Sequence, residues 1–397
     1  MTEVALGTLF QLIRNGLSIG QDKSGRGLPI ARIETIADSE INQARVGYAG
    51  LDESGCRSFL LQPGDILFSH INSVPHLGKC AVYRGRPEKL VHGMNLLCLR
   101  PETTRLLPEF AKHLLRSPTF RSRALPYVKK AVNQASISIE NLRTIPVPLP
   151  PLAEQRRIAA VLDRADELRA KRRQSLAELQ ALPQAIFHSL VGDPVQNPRG
   201  WPRVTLAEVI VSAADGPHAS PQYSRDGVPL LSTRHVRPGE IVWEDLKTIS
   251  PAAAEVQWRK RRPARGDILY TKGGTTGVAA VVDTDVKFAV WVHLALLKLK
   301  RQLVEPFWLE EMLNSPFCHA QAQRLTQGIA NRDLGLKKMV HIALLLPPLE
   351  LQREFVRRRA AIAPLKRAQR ASLAELDALF AALQHQAFGG DLPRPGG

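Results

Sequence analysis

The sequence predicts an α/β (α+β) tandem duplication, with two globular domains separated by two long helices packed as an antiparallel coiled coil. Three observations predict it. First, residues 150–192 and 347–389 align without a gap, with 17 of 43 positions identical. Both stretches open Pro-Pro-Leu, pass through Ser-Leu-Ala-Glu-Leu (Ser175–Leu179 and Ser372–Leu376) and end in Gly. Second, the stretches preceding them repeat at an offset of about 200: Gly64-Asp65-Ile66-Leu67 returns as Gly266-Asp267-Ile268-Leu269. A period this long exceeds that of a solenoid and means two copies of one larger unit. Third, both repeated stretches carry an apolar stripe at heptad spacing, the pattern of a helical seam.

In chain order, residues 1–149 read as the first globular domain. Val4-Ala5-Leu6 opens it, and Gly27-Leu28-Pro29-Ile30 reads as a turn entering a strand. Gly64 and Asp65 suit a tight turn, and Ile66 to Phe68 a buried strand. Cys80-Ala81-Val82-Tyr83 and Leu96-Leu97-Cys98-Leu99 read as further strands, and 108–115 as a helix. Residues 121–130 are strongly basic.

Residues 150–192 form the first helical region. Its stripe is Ile158, Val161, Ala165, Leu168, Leu179, Leu182 and Ile186, interrupted by Arg172 and Ser175. A helix of about 38 residues spans roughly 57 Å. It cannot bury its stripe alone, so the second copy is the expected partner. Pro183 and Pro364 are expected to kink or break the two helices.

Residues 193–199 read as a linker, since Gly192, Pro194 and Pro198 cannot continue a helix. Trp201 is expected to anchor the second globular domain, 200–346. That domain repeats the first: Asn15-Gly16 answers Asp215-Gly216, Glu40-Ile41 answers Glu240-Ile241, and Ser117-Pro118 answers Ser315-Pro316. Turn formers and core aliphatics recur while most polar residues differ. The second helical region, 347–390, places Phe355, Ile362, Leu365, Leu376, Leu379 and Leu383 on its stripe, interrupted by Gln369 and Ser372. The tail, 391–397, is expected to be disordered.

Composition narrows the function. The chain has 397 residues, 54 Lys and Arg against 37 Asp and Glu, and a formal charge of +17. A chain this basic points to a polyanion, with nucleic acid ahead of an anionic membrane. No run of about 18 apolar residues suggests a membrane span. Met1-Thr2-Glu3-Val4 lacks a secretion signal pattern. Cys56, Cys80, Cys98 and Cys318 form no CxxC pair and fit free thiols in a reducing cytoplasm.

Catalytic motifs are absent. There is no GxxxxGK[ST] loop, no GxSxG elbow, no HExxH helix and no Asn-Pro-Pro-aromatic motif. Lys272-Gly273-Gly274-Thr275-Thr276-Gly277 is Gly-rich in the wrong order for a phosphate loop, and reads as a backbone-exposing loop facing DNA. The sequence therefore predicts a binding protein. Two divergent heads held at a fixed separation suit duplex DNA, whose helical repeat makes spacing matter.

At this point the chain resembles the specificity subunits of type I restriction-modification systems. The resemblance rests on Ile145-Pro146-Val147-Pro148-Leu149-Pro150-Pro151-Leu152-Ala153-Glu154-Gln155-Arg156-Arg157-Ile158, which is similar to the family's entry into each helical spacer. The Ser-Leu-Ala-Glu-Leu repeats, the Gly-Asp-Ile-Leu strands and Gly200-Trp201 fit as well. The second entry, 342–355, departs from the pattern with Leu351 and Glu354. The resemblance implies two target recognition domains, 1–149 and 200–346, and two helical conserved regions. Each recognition domain would read half of a bipartite double-stranded DNA site. The helices would set the spacer and dock two modification (methyltransferase) subunits. S-adenosylmethionine, ATP and Mg would sit on those partners and on restriction/translocase subunits, with no cofactor in this chain. It would not be an enzyme by itself.

The resemblance does not fix the base-contacting residues. The candidates are polar, divergent, loop-like positions: Asn72, His76, Lys79, Asn133 and Gln134 in the first domain, and His218, Arg234, His235, Lys272, Thr275, Thr276, Asn331 and Arg332 in the second. Such side chains can hydrogen-bond base edges or phosphates. The competing reading is a non-catalytic coiled-coil adaptor whose basic surface is incidental. A fused nuclease-methyltransferase is disfavoured by the missing motifs.

Overall fold

The computed structural model describes residues 2–20, 25–132, 134–260, 262–328 and 332–389. The expected tail at 391–397 lies outside them. The chain forms two compact units, one of Met1–Arg173 with Ala371–Gly397, the other of Gln174–Arg370. The division falls inside both long helices, so each unit holds part of each.

In the first unit, an antiparallel sheet runs in the order Phe10–Asn15, Leu96–Pro101, Ile66–Ser69, Cys80–Val82. Ile66, Phe68, Leu97 and Leu99 point into one core with Phe110 and Leu114. Leu67, Ala81, Leu96 and Cys98 point into another with Tyr83 and Ile36. Burial on both faces explains why these strands read as continuous apolar runs. The turn before the central strand uses Gly64 at φ +96°, a conformation that favours glycine. The Asp65 carboxylate accepts the Gln62 N–H at 2.7 Å and a bidentate pair of bonds from Arg100 on the adjacent strand. In the second unit Gly266 has φ +83°, and Asp267 accepts the Ala264 N–H and pairs with Lys298. The repeated Gly-Asp-Ile-Leu is thus a turn closed by its own carboxylate.

The second unit repeats this sheet as Ile210–Asp215, Leu294–Leu299, Ile268–Thr271, Ala279–Val281. Each unit also pairs a strand near its start with the strand entering its long helix: Thr2–Ala5 with Pro146–Leu149, and Arg203–Thr205 with Ala343–Leu345. These are two-stranded pairs, where Pro146 and Pro148 are tolerated. Trp201 is anchored as expected, its indole N–H donating to the Val191 carbonyl at 3.0 Å and its backbone bracketed by the Asn197 amide.

The long helices are Leu152–Val191 and Leu349–Gly389. Gln155, wholly buried, fixes the first to its globular domain. Its carbonyl accepts the Leu107 N–H at 2.9 Å, and its amide donates to the carbonyls of Arg105 (2.8 Å) and Pro150 (2.9 Å). Gln352 repeats the arrangement, accepting from Glu305 and donating to Leu303 and Pro347. The helices pack antiparallel in each unit. In the first, Arg169 pairs with Asp377 at 2.6 Å and lies over the Phe380 ring, while Phe388 meets Phe110. In the second, Phe187 packs on Phe355 and Trp308.

Two expectations are corrected. Of the kink or break expected at Pro183 and Pro364, the break does not occur: both lie inside continuous helices. A proline removes one hydrogen bond, and packing along the helix outweighs that loss. The heptad stripe is also not the buried seam throughout: Val161, Leu168, Leu182, Leu365 and Leu379 are each more than a third exposed. Near its start the first helix buries the stripe residues Ile158 and Ala165 together with Gln155, Ala159 and Leu162, which lie off the stripe. This is the broader face of a helix that packs on a globular core as well as on another helix.

Candidate nucleic-acid interface

In the first unit the candidates converge on a small antiparallel sheet beside the main one. A hairpin of Lys129–Ala131 and Gln134–Ser136 adds Ile71–Asn72 as a third strand, with Asn72 opposite Ala135. Gln134 is exposed on the hairpin and His76 is exposed on the Val74–His76 turn of the same loop. Lys79, at the loop's end, is half-buried. Asn72 is committed locally: its amide donates to the Ser69 hydroxyl and accepts the Ser73 N–H at 2.8 Å. Asn133 lies outside the described residues. Beside the hairpin, a cavity of about 230 Å³ is lined by Phe68, Leu77, Lys79, Phe120, Leu125 and Val128.

Exposed Lys129 and Lys130 belong to this surface but were not singled out. Their signal was the basic run at 121–130. Arg121, from the same run, ties its helix to the loop by donating to the Val74 carbonyl at 2.9 Å.

In the second unit the equivalent loop, 272–278, is shorter than 70–79 and mostly closed. Lys272 is only 4% exposed and forms ion pairs with Asp215 (3.3 Å) and Asp333 (3.1 Å). Thr276 is 2% exposed; its hydroxyl meets that of Thr326 at 2.9 Å, and its carbonyl accepts from Gln323. Gly273 packs so closely on the His293 ring that a Cβ would stand 2.2 Å from Nδ1. Only Gly274 and Thr275 of the Gly-rich stretch are exposed. The expected DNA-facing loop is therefore reduced to its tip.

His235 is also buried. Its Nδ1 accepts the Ser232 N–H at 2.9 Å, and burial pushes its pKa down. Lys272, Thr276 and His235, expected as exposed loop residues, are instead buried and bonded within the fold. A buried polar group must be paired, and these have spent their bonds inside the fold.

Exposed candidates remain. His218 lies 3.8 Å from Asp215, beside the Lys272 ion-pair cluster. Arg332 lies beside the loop tip, its carbonyl accepting the Gly274 N–H at 3.0 Å and its guanidinium donating to Gln323. His218, Thr275 and Arg332 therefore gather around one cluster. Arg234 sits on a different turn, Thr233–His235, and donates to the Asp245 carbonyl. Asn331 lies outside the described residues.

The arrangement offers hydrogen-bonding and cationic side chains on loops held by rigid sheets, suited to contacting a duplex. All four cysteines are buried, and burial pushes the Cys80 and Cys318 thiols up to about 12, which keeps them from acting as nucleophiles. Among the described residues, no group of three or more His, Cys, Asp or Glu could hold a metal ion. None of their helices is long and apolar enough to cross a membrane.

Residues 1–181 match the family model of the type I restriction modification DNA specificity domain. The chain is 30% identical over 377 residues to a putative type I restriction enzyme MjaX specificity subunit of Methanocaldococcus jannaschii, covering 89% of this chain and 84% of that one. It is 32% identical over 185 residues to the EcoKI specificity subunit of Escherichia coli, covering 44% and 39%. The fold is similar to the type I S subunit from M. genitalium (TM-score 0.57, 13% identity, 100% and 96% covered). It is also similar to a chain from a study of assembly and conformational transition in a type I R-M system (TM-score 0.56, 21% identity, 98% of each covered). Extended identity along almost the whole chain, joined to the duplicated fold, makes this protein a member of the type I restriction-modification specificity subunit family.

Proposed function

We propose that this chain reads a bipartite, asymmetric DNA site, one half with each globular domain. In this reading 1–149 and 200–346 are target recognition domains, and 193–199 is the linker. Regions 150–192 and 347–390 are the helical spacers that dock two modification subunits. The partners supply S-adenosylmethionine-dependent adenine methylation and ATP-driven cleavage, and this chain supplies the address.

The observation that carries the proposal is one scaffold presenting two different surfaces at the same place. The loop after the central strand meets the return segment through Asn72 and Ala135 in one unit, and through Gly273 and Asp333 in the other. Around that meeting point the first unit exposes His76, Lys129, Lys130 and Gln134, the second His218, Thr275 and Arg332. Different donors and acceptors on one frame are what two different half-sites require. The net charge of +17 supports phosphate contacts and a salt-dependent affinity.

The test is the methylome of a host carrying this gene and its modification gene, against a host lacking this gene alone. A new bipartite adenine-methylation motif is expected, and gives both half-sites and the spacer. Absence of any new motif while the two proteins associate would refute the addressing role. Absence of association would favour the adaptor reading.

A further inference from the structure

One helix of each globular domain, in contact with a long helix, is built from equivalent residues in the two units. It is Pro108–Arg116, PEFAKHLLR, in the first and Pro306–Asn314, PFWLEEMLN, in the second. Each begins with proline, is followed by Ser-Pro, and packs against its own unit's long helix. Its central polar positions differ in kind: Lys112 in one copy answers Glu310 in the other with the opposite charge, and His113, whose pKa burial pushes down, answers Glu311.

These positions are interior. Lys112 is 5% exposed, His113 0% and Glu310 1%. In the first unit Lys112 Nζ (2.6 Å) and His113 Nε2 (2.8 Å) both reach Asp163 on the long helix, and Arg116 reaches Asp166 at 2.9 Å. In the second, the Glu310 carboxylate accepts the Val281 N–H at 2.6 Å and pairs with Arg359 of the long helix. Arg359 also lies 4.1 Å over the Phe307 ring. One interface is therefore cationic on the head and anionic on the helix, and the other is the reverse.

We infer that each head is keyed to its own long helix by this inverted charge pair, so that the two heads of this chain are not interchangeable. On the wrong helix, Lys112 would face Arg359 and Glu310 would face Asp163. Breaking a partly buried ion pair is costly, and replacing it with like charges more so. Discrimination of this kind comes from the repulsion built against the wrong partner. A duplicated chain has particular need of it, because similar halves can misassemble while folding. The inference goes beyond DNA addressing, and its readout needs no DNA.

The experiment uses the full chain at pH 8. One variant carries Lys112→Glu with His113→Glu, a second carries Asp163→Arg, and a third carries all three. Each of the first two is expected to lower the melting midpoint of the affected unit by about 10 °C. The third should recover at least half of that loss. Midpoints unchanged in the first two, or a third variant as unstable as their combined losses, would overturn the inference. Should the reversals yield no soluble protein, the cycle of Lys112→Gln, Asp163→Asn and both decides it. A combined loss smaller than additive supports keying, and strictly additive losses overturn it.

Discussion

Gln155→Ala is the perturbation whose magnitude the structure defines best. The wild-type side chain makes three hydrogen bonds of 2.8–2.9 Å while wholly buried. Alanine leaves the Leu107 N–H and the Arg105 and Pro150 carbonyls without that partner. At about 1 kcal/mol per bond the loss is about 3 kcal/mol, and water reaching the side of the exposed Arg105 would reduce it. For a unit of this size that is a drop of about 6–12 °C in melting midpoint, readable by calorimetry on the full chain. Gln352→Ala should produce a similar drop in the other unit. Gln155→Glu adds a sign. A carboxylate still accepts from Leu107 but faces two carbonyls it cannot donate to, so its folded-state pKa rises. The variant should be more stable at pH 5 than at pH 8, since stability is lost as pH rises through that raised pKa. A loss under about 0.5 kcal/mol for Gln155→Ala would refute the clasp.

Other outcomes follow from the same geometry. Lys272→Met should cost about 2–3 kcal/mol in stability by stranding Asp215 and the more exposed Asp333. Arg332→Ala or Gln134→Ala should leave melting unchanged, yet cost about 1–3 kcal/mol in binding at one half-site and relax specificity there; equal weakening on every sequence, measured by titration of half-site variants, would make them phosphate contacts. Acid melts should separate the two head–helix interfaces. Asp163 is pushed up by partial burial, but hydrogen bonds from His113 and Lys112 hold it down to about 2, below its usual 3.8. Its contribution is present above 3.8, is lost as pH falls through about 2, and should vanish in Asp163→Asn. Glu310 is raised by burial against the pull of Arg359 and the Val281 N–H, with Glu311 and Asp283 adding to the rise. Its contribution is greatest below 4.5 and is lost as pH rises through about 7, so Glu310→Gln should flatten that limb. Inserting four residues, one helical turn, near Ser175 or Ser372 should lengthen the methylated spacer without altering either half-site; an unchanged spacer would refute the helices as ruler.

The sequence by itself determined the duplication, the strand-forming turns and the two long helices. Gly64-Asp65 and Gly266-Asp267 were legible because a turn needing positive φ and a local carboxylate acceptor writes itself into adjacent residues. Leu152–Val191 and Leu349–Gly389 were legible because helical periodicity persists over many turns. The three-way bond of Gln155, by contrast, joins residues about 50 positions apart, and no local pattern announces it. Lys272, Thr276 and His235 looked like loop residues because a polar side chain on a loop reads the same whether it meets water or Asp215, Thr326 or Ser232. Val161 and Leu365 looked like seam residues because spacing marks an apolar face without saying which neighbour covers it. Burial, and with it which charge answers Lys112 and which answers Glu310, was decided only by tertiary packing, because long-range contacts choose the surroundings of a side chain whose identity local sequence alone supplies.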